Sequence, residues 1–198
     1  MNVYISTQVG NPQQTRIVPE LEVANKLLDK GAFEDARILY DQIYLLSKDP
    51  EALYGMALCV FRKGDAGESL KVIQELLQRV PNHAAAFNLA GVISLTLKDV
   101  PAAKSMFAAA ITQDPGMIEA QRNFGESLLE EGSYKDGLEV FLKILENHPE
   151  DIPTLMRMAE LCAECGRRQE SNEYLLRVLQ VEPEHPSART MLEHSQES

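Results

Sequence analysis

The sequence has no tryptophan, and aromatic residues make up only 6% of its 198 positions, so any core must be built mainly from aliphatic side chains. Its three cysteines are too few, and odd in number, for a disulfide framework, and they fit a reducing cytoplasmic setting. No apolar run approaches the ~20 residues that cross a bilayer, and the opening stretch lacks the basic start and apolar centre of a secretory signal. No direct membrane insertion is expected. Positive charge is also scarce. Lys and Arg number 19 against 30 Asp and Glu, a net charge of −11, which divides into −2 for residues 1–99 (12 acidic, 10 basic) and −9 for residues 100–198 (18 acidic, 9 basic). A field of that sign repels phosphate backbones, so nucleic acid is not an expected partner. Glycine-rich phosphate loops, nucleophile elbows and helical His pairs at i,i+4 are all missing, so the sequence predicts no enzyme activity, no cofactor and no metal site.

What the chain does have is a ruler. Pro81, Pro115, Pro149 and Pro183 are each 34 residues apart, and Gly64, Gly132 and Gly166 keep the same register with Lys98 standing in the fourth place. Each interval between these marks is one helix long, filled with Ala, Leu, Glu, Lys and Gln, with apolar residues three and four apart. Proline suits a helix boundary and glycine tolerates the left-handed turn that reverses the chain. The unit is therefore a pair of antiparallel helices, repeated.

Four copies carry the same residue classes at the same eight places: Phe87, Ala90, Gly91, Ser94, Ala103, Phe107, Ala110 and Pro115 in one, and Gln121, Phe124, Gly125, Leu128, Gly137, Phe141, Ile144 and Pro149 in the next. Leu53, Met56, Ala57, Val60, Ser69, Ile73, Leu76 and Pro81 precede them, and Leu155, Met158, Ala159, Cys162, Ser171, Leu175, Val178 and Pro183 follow. This pattern resembles the tetratricopeptide repeat family closely. The resemblance implies an all-α, right-handed superhelical solenoid of five helix pairs with a C-terminal capping helix. It divides the chain into an N-terminal arm (1–16), five repeats (17–49, 50–83, 84–117, 118–151, 152–185) and a capping helix with tail (186–198). The first repeat is a variant: Gly31 to Pro50 is 19 residues against 17 for Gly64 to Pro81, so its second helix is expected to run two residues longer. Asp49 is the expected N-cap of the helix that follows, with Pro50 in its first turn.

By the same resemblance, the first helix of each pair lines a concave groove. Its inward positions are Leu21, Asn25 and Leu28 in repeat one, and Tyr54, Leu58, Phe61 and Arg62 in repeat two. Repeat three offers Asn88, Val92 and Leu95, repeat four Glu119, Arg122, Glu126 and Glu130, and repeat five Met156, Glu160 and Glu164. The lining is thus apolar in repeats one to three and acidic in repeats four and five. An apolar groove holds side-chain anchors of a helix or extended segment, and carboxylates select Lys or Arg. The expected function is a non-enzymatic scaffold or adaptor that binds a partner peptide or helix with apolar and basic segments. Two alternatives are a chaperone for a secreted or membrane client, like those of type III secretion, and a protein that self-assembles into homo-oligomers. Cys162-Ala-Glu-Cys165 has redox spacing but no second pair and no strand–helix setting, and both thiols sit toward a helix C-terminus where the dipole disfavours thiolate, so it is read as packing. Residues 1–16 lie off the ruler and are read as a flexible arm, or as a segment that occupies a groove.

Overall fold

The computed structural model describes residues 12–196, with side chains from 20 to 195. Among the described residues all regular structure is helical: α1 (Pro12–Asp29), α2 (Phe33–Ser47), α3 (Pro50–Arg62), α4 (Ala66–Arg79), α5 (Ala84–Thr96), α6 (Val100–Gln113), α7 (Ile118–Glu130), α8 (Tyr134–Asn147), α9 (Ile152–Glu164), α10 (Arg168–Val181) and α11 (Pro186–Gln196). From α3 onward the first helices of the pairs begin at 50, 84, 118, 152 and 186, on the 34-residue register. Helix α1 starts at Pro12, so five residues assigned to the arm by sequence are helical; residues 1–11 lie outside the described residues.

Local chemistry sets these boundaries. The N-cap side chains of Asp49, His83 and Asp151 accept backbone N–H bonds from Glu51 (2.9 Å), Ala86 (3.1 Å) and Thr154 (3.0 Å), and His185 does the same for Ala188 at 3.2 Å. Each satisfies a donor that the first helical turn leaves unpaired. The turn inside each pair is closed by a residue in the left-handed region, Gly64 at φ 95°, Gly132 at 90° and Gly166 at 72°, with Lys98 at 64°. The residue that follows returns its N–H to a carbonyl five back, as from Asp99 to Ser94 (2.9 Å) and Arg167 to Cys162 (2.8 Å).

The variant first repeat differs in detail from the sequence expectation. Helix α2 has 15 residues against 14 in α4, α6, α8 and α10, one more and not two. Lys48 closes it in the left-handed conformation (φ 57°) and Asp49 caps α3 at once, so two linking residues replace the four of Val80–His83. Pro50 is consequently the first residue of a helix, whereas Pro81 lies three residues ahead of one.

Contacts group the described residues into two compact units that divide between Gln113 and Asp114. The first unit stacks three helix pairs, with α3 packed on α1, α2, α4 and α5. Tyr40, Ile43, Leu53, Ile73, Leu76, Ile93 and Phe107 are its fully buried large side chains. The second unit holds two pairs plus α11 around Phe141, Ile144, Leu155, Leu175 and Val178, with Ala188 of α11 completely covered.

Inside a pair, the closest approach is tuned by residues 16 apart. Gly91 lies under the ring of Phe107, where a Cβ would stand 2.4 Å from a ring carbon, and Gly125 lies under Phe141 at 2.9 Å. Where the second helix carries an aliphatic residue, Ile73 or Leu175, the first carries Ala57 or Ala159. Volume is thus conserved across the pair while its distribution changes. Ala24 and Tyr40 depart from this rule because the Tyr40 ring abuts Gly55 of the next pair, 2.3 Å from where its Cβ would be.

Candidate functional site

The first-helix face of the first unit is apolar. Tyr54, Leu58 and Phe61 recur at i, i+4 and i+7 on α3, which puts them on one stripe. They are half-buried against the core, as are Leu21 and Leu28 of α1, and Val92 and Leu95 of α5 are also half-buried. Arg62 is exposed at the end of the stripe. Asn88, expected in the lining, is only 6% exposed and presents little surface. Asn25 is exposed and its Oδ1 accepts the Tyr40 hydroxyl at 2.5 Å, tying α1 to α2; burial pushes that phenol up to about 12.

Tyr54 is held in place. Its ring stacks on His83 with centroids 5.4 Å apart and planes at 30°. His83 uses Nδ1 to cap α5, which leaves its proton on Nε2, 3.2 Å from Glu51 Oε1. Tyr54, at one end of the apolar stripe, therefore stacks on a histidine held at both nitrogens.

The first-helix face of the second unit is acidic but organised around two arginines. Arg122 donates from Nη1 to both oxygens of Asp151 at 3.0 and 2.9 Å. Burial works against the charge on Asp151, but bonds from the Thr154 hydroxyl and N–H, together with Arg122, overcome it and hold the carboxyl below its ordinary value. Arg157 reaches Glu126 at 2.7 Å, Glu160 at 3.4 Å and Glu164 at 3.7 Å. Its burial would lower its pKa, yet the glutamates, Glu126 foremost, raise it. Three of the five expected glutamates thus surround one guanidinium and together leave two negative charges. Glu119 and Glu130 are exposed, and Met156 packs half-buried on the unit's core.

Sequence reasoning missed Arg157 and His83 because it scored only inward positions within one helix. The overlooked signal lies in separations just short of a repeat. Tyr54–His83 and Arg122–Asp151 are both 29 apart, the same lining position reaching the next repeat's N-cap, and Glu126–Arg157 is 31 apart.

Elsewhere, Cys59 and Cys162 are buried free thiols and Cys165 is an exposed one. Burial pushes Cys59 up to about 11, consistent with a packing role. Among the described residues no helix is long and apolar enough to cross a membrane.

Paired helices stacked in register, with partly exposed side chains along the first helices, define a helical-repeat protein of the class that binds other polypeptides. The helix pairs are of the tetratricopeptide repeat type. A tetratricopeptide repeat profile matches residues 89–152, and the profile of anaphase-promoting complex, cyclosome, subunit 3 matches residues 29–110. Anaphase-promoting complex subunit 7 of Arabidopsis thaliana is 24% identical over 170 residues, 85% of this chain and 30% of that protein. The chain spans less than a third of the length of the curated relatives it matches. A thermophilic TPR protein of Thermus thermophilus superposes with a TM-score of 0.78 at 18% identity, over 92% of this chain and all of that one. YrrB, described as a TPR protein with an unusual peptide-binding site, gives 0.61 at 20% identity, over 93% and 94% of the two chains.

Proposed function

We propose that this chain is a non-enzymatic, cytoplasmic scaffold or adaptor that captures a partner peptide or helix on its first-helix faces. The first unit takes apolar side chains on Tyr54, Leu58 and Phe61, and the second unit takes Lys or Arg on its glutamates. The observation that carries this reading is the Tyr54–Leu58–Phe61 stripe, a row of large apolar side chains left half-open, with the Tyr54 ring stacked on His83. Partly exposed aromatics on a rigid support cost little conformational entropy to engage, which makes them effective anchors. The three free cysteines favour a reducing compartment. Exposed carboxylates would speed encounter with a basic partner and make it salt-dependent.

The test is affinity capture from native lysate with wild type and with Tyr54→Ala/Phe61→Ala, followed by a binding titration of the recovered partner. Losing two central aromatic contacts should weaken binding by roughly 2 kcal/mol or more, about 30-fold. Equal recovery and equal affinity for the double variant would remove the stripe as the binding surface.

A further inference from the structure

The second unit holds a second apolar feature that the first-helix face does not use. A hollow of about 260 Å³ opens between α8 and α10 and is floored by α9. Tyr134, Leu138 and Leu142 form one wall, Tyr174 the other, and Met158 lies beneath, with the Cys165 thiol at the lining. Tyr134 is 65% exposed and Leu142 46%, an unusual amount of apolar surface to leave in water.

The repeat itself provides a control. The corresponding hollow in the first unit, between α4 and α6, is lined by Leu70, Leu77, Phe87 and Met106 together with the polar side chains Gln74, Gln78 and Ser94. Leu142 stands at the register position of Gln74, and Tyr134 at that of Ala66. The fold does not require large apolar residues at either place, so packing alone leaves Tyr134 and Leu142 unexplained. Charge defines what the hollow accepts. Its two charged lining residues, Arg167 and Glu170, bond to each other with Nε 2.6 Å from Oε1, so an ionic guest finds no free counter-charge. Two phenol rings and two kinds of sulfur suit the face and edge of an aromatic ring.

We infer that the hollow between α8 and α10 is a binding site for a small neutral aromatic compound of one or two rings. This is independent of the peptide-binding face. The volume lies near the small end of ligand pockets, matching a single or fused ring and not a larger cofactor.

Cys165 supplies a native reporter, since Cys59 and Cys162 are buried. Its alkylation by N-ethylmaleimide would be followed by peptide mass spectrometry against increasing indole, with tryptamine and indole-3-acetate as charged counterparts. Indole should protect Cys165 saturably and the charged analogues several-fold less well. Leu142→Gln, which copies the residue at position 74, should weaken protection about 10-fold or more. Tyr134→Ala, at a more exposed position, should weaken it too, and retained helical circular dichroism would certify both folds. Methyl shifts of Met158 with indole provide a second reading. Absent or unsaturable protection, equal protection in Leu142→Gln, or equal protection by indole-3-acetate would overturn the inference. Protection by a tryptophan-bearing peptide where free indole fails would overturn it as well, and would reassign the hollow to a protein partner.

Discussion

Gly91→Ala tests the pairing of residues 16 apart. The added Cβ would meet three ring carbons of Phe107 at 2.4, 2.6 and 2.8 Å, well inside the optimal carbon separation of about 3.5–4.0 Å. Phe107 is completely buried, so its ring cannot swing into solvent. Overpacking of this kind costs about 1–3 kcal/mol, and three simultaneous clashes put it at the upper end. Replacing glycine by alanine in a helix returns about 1 kcal/mol. The net expectation is a loss of about 2 kcal/mol, a fall in melting temperature of about 4–8 °C for a chain of this size. Repeat arrays need not melt all-or-none, so amide exchange in α5 and α6 should be followed beside calorimetry. Gly67→Ala is the control: the nearest atom to its Cβ is Asp65 Oδ1 at 3.8 Å, and that variant should gain up to about 1 kcal/mol. Gly91→Ala/Phe107→Leu reproduces the Ala159–Leu175 combination and should be at least as stable as Phe107→Leu alone. A Gly91→Ala protein as stable as wild type, or a penalty of the same size in the Phe107→Leu background, would refute the reasoning.

Lys98→Gly should stabilise by about 0.5–1 kcal/mol, because Lys98 holds φ 64° where the other pairs use glycine; chemical denaturation of the two proteins checks it. Asp151→Asn keeps an N-cap but removes the charge facing Arg122, and should cost about 1–2 kcal/mol at pH 7. Since the folded carboxyl lies below its unfolded value of about 3.9, the stabilisation is complete above that value and disappears as pH falls through the lower folded one. Unfolding curves of wild type and Asp151→Asn should therefore converge as the pH falls through the lowered folded-state pKa of Asp151. Ser171→Ala removes a buried bond from Oγ to the Ala159 carbonyl (2.8 Å) and should lower stability by about 1 kcal/mol, read as a shifted denaturant midpoint.

Most of the fold was legible because the marks that terminate helices are local. A Pro, a Gly and a capping Asp act on their own neighbours, so the starts of α3, α5, α7, α9 and α11 follow from spacing alone. Lys98 is marked by its place on the glycine register, but Lys48 has no such mark, since a left-handed lysine looks like any other lysine. The start of α1 at Pro12 was missed because the residues before 17 do not share the repeat register. The candidate face was half legible. Tyr54, Leu58 and Phe61 form a stripe from helical periodicity, whereas His83, which stacks on Tyr54, comes from the boundary of the next repeat. Asn88 looked like lining by position and is covered instead, because a register specifies direction along a helix but not how much the next element covers.

The stacked pair of Tyr54 and His83 joins two tasks in one place. In the proposed binding role, the ring that would meet a guest also stacks on the imidazole that caps α5, so a partner on Tyr54 would act on the first turn of a neighbouring helix. Occupancy at this spot would then be audible one repeat away, as altered solvent exchange of the Ala86 amide, and the protein would report its cargo through the stiffness of its own scaffold.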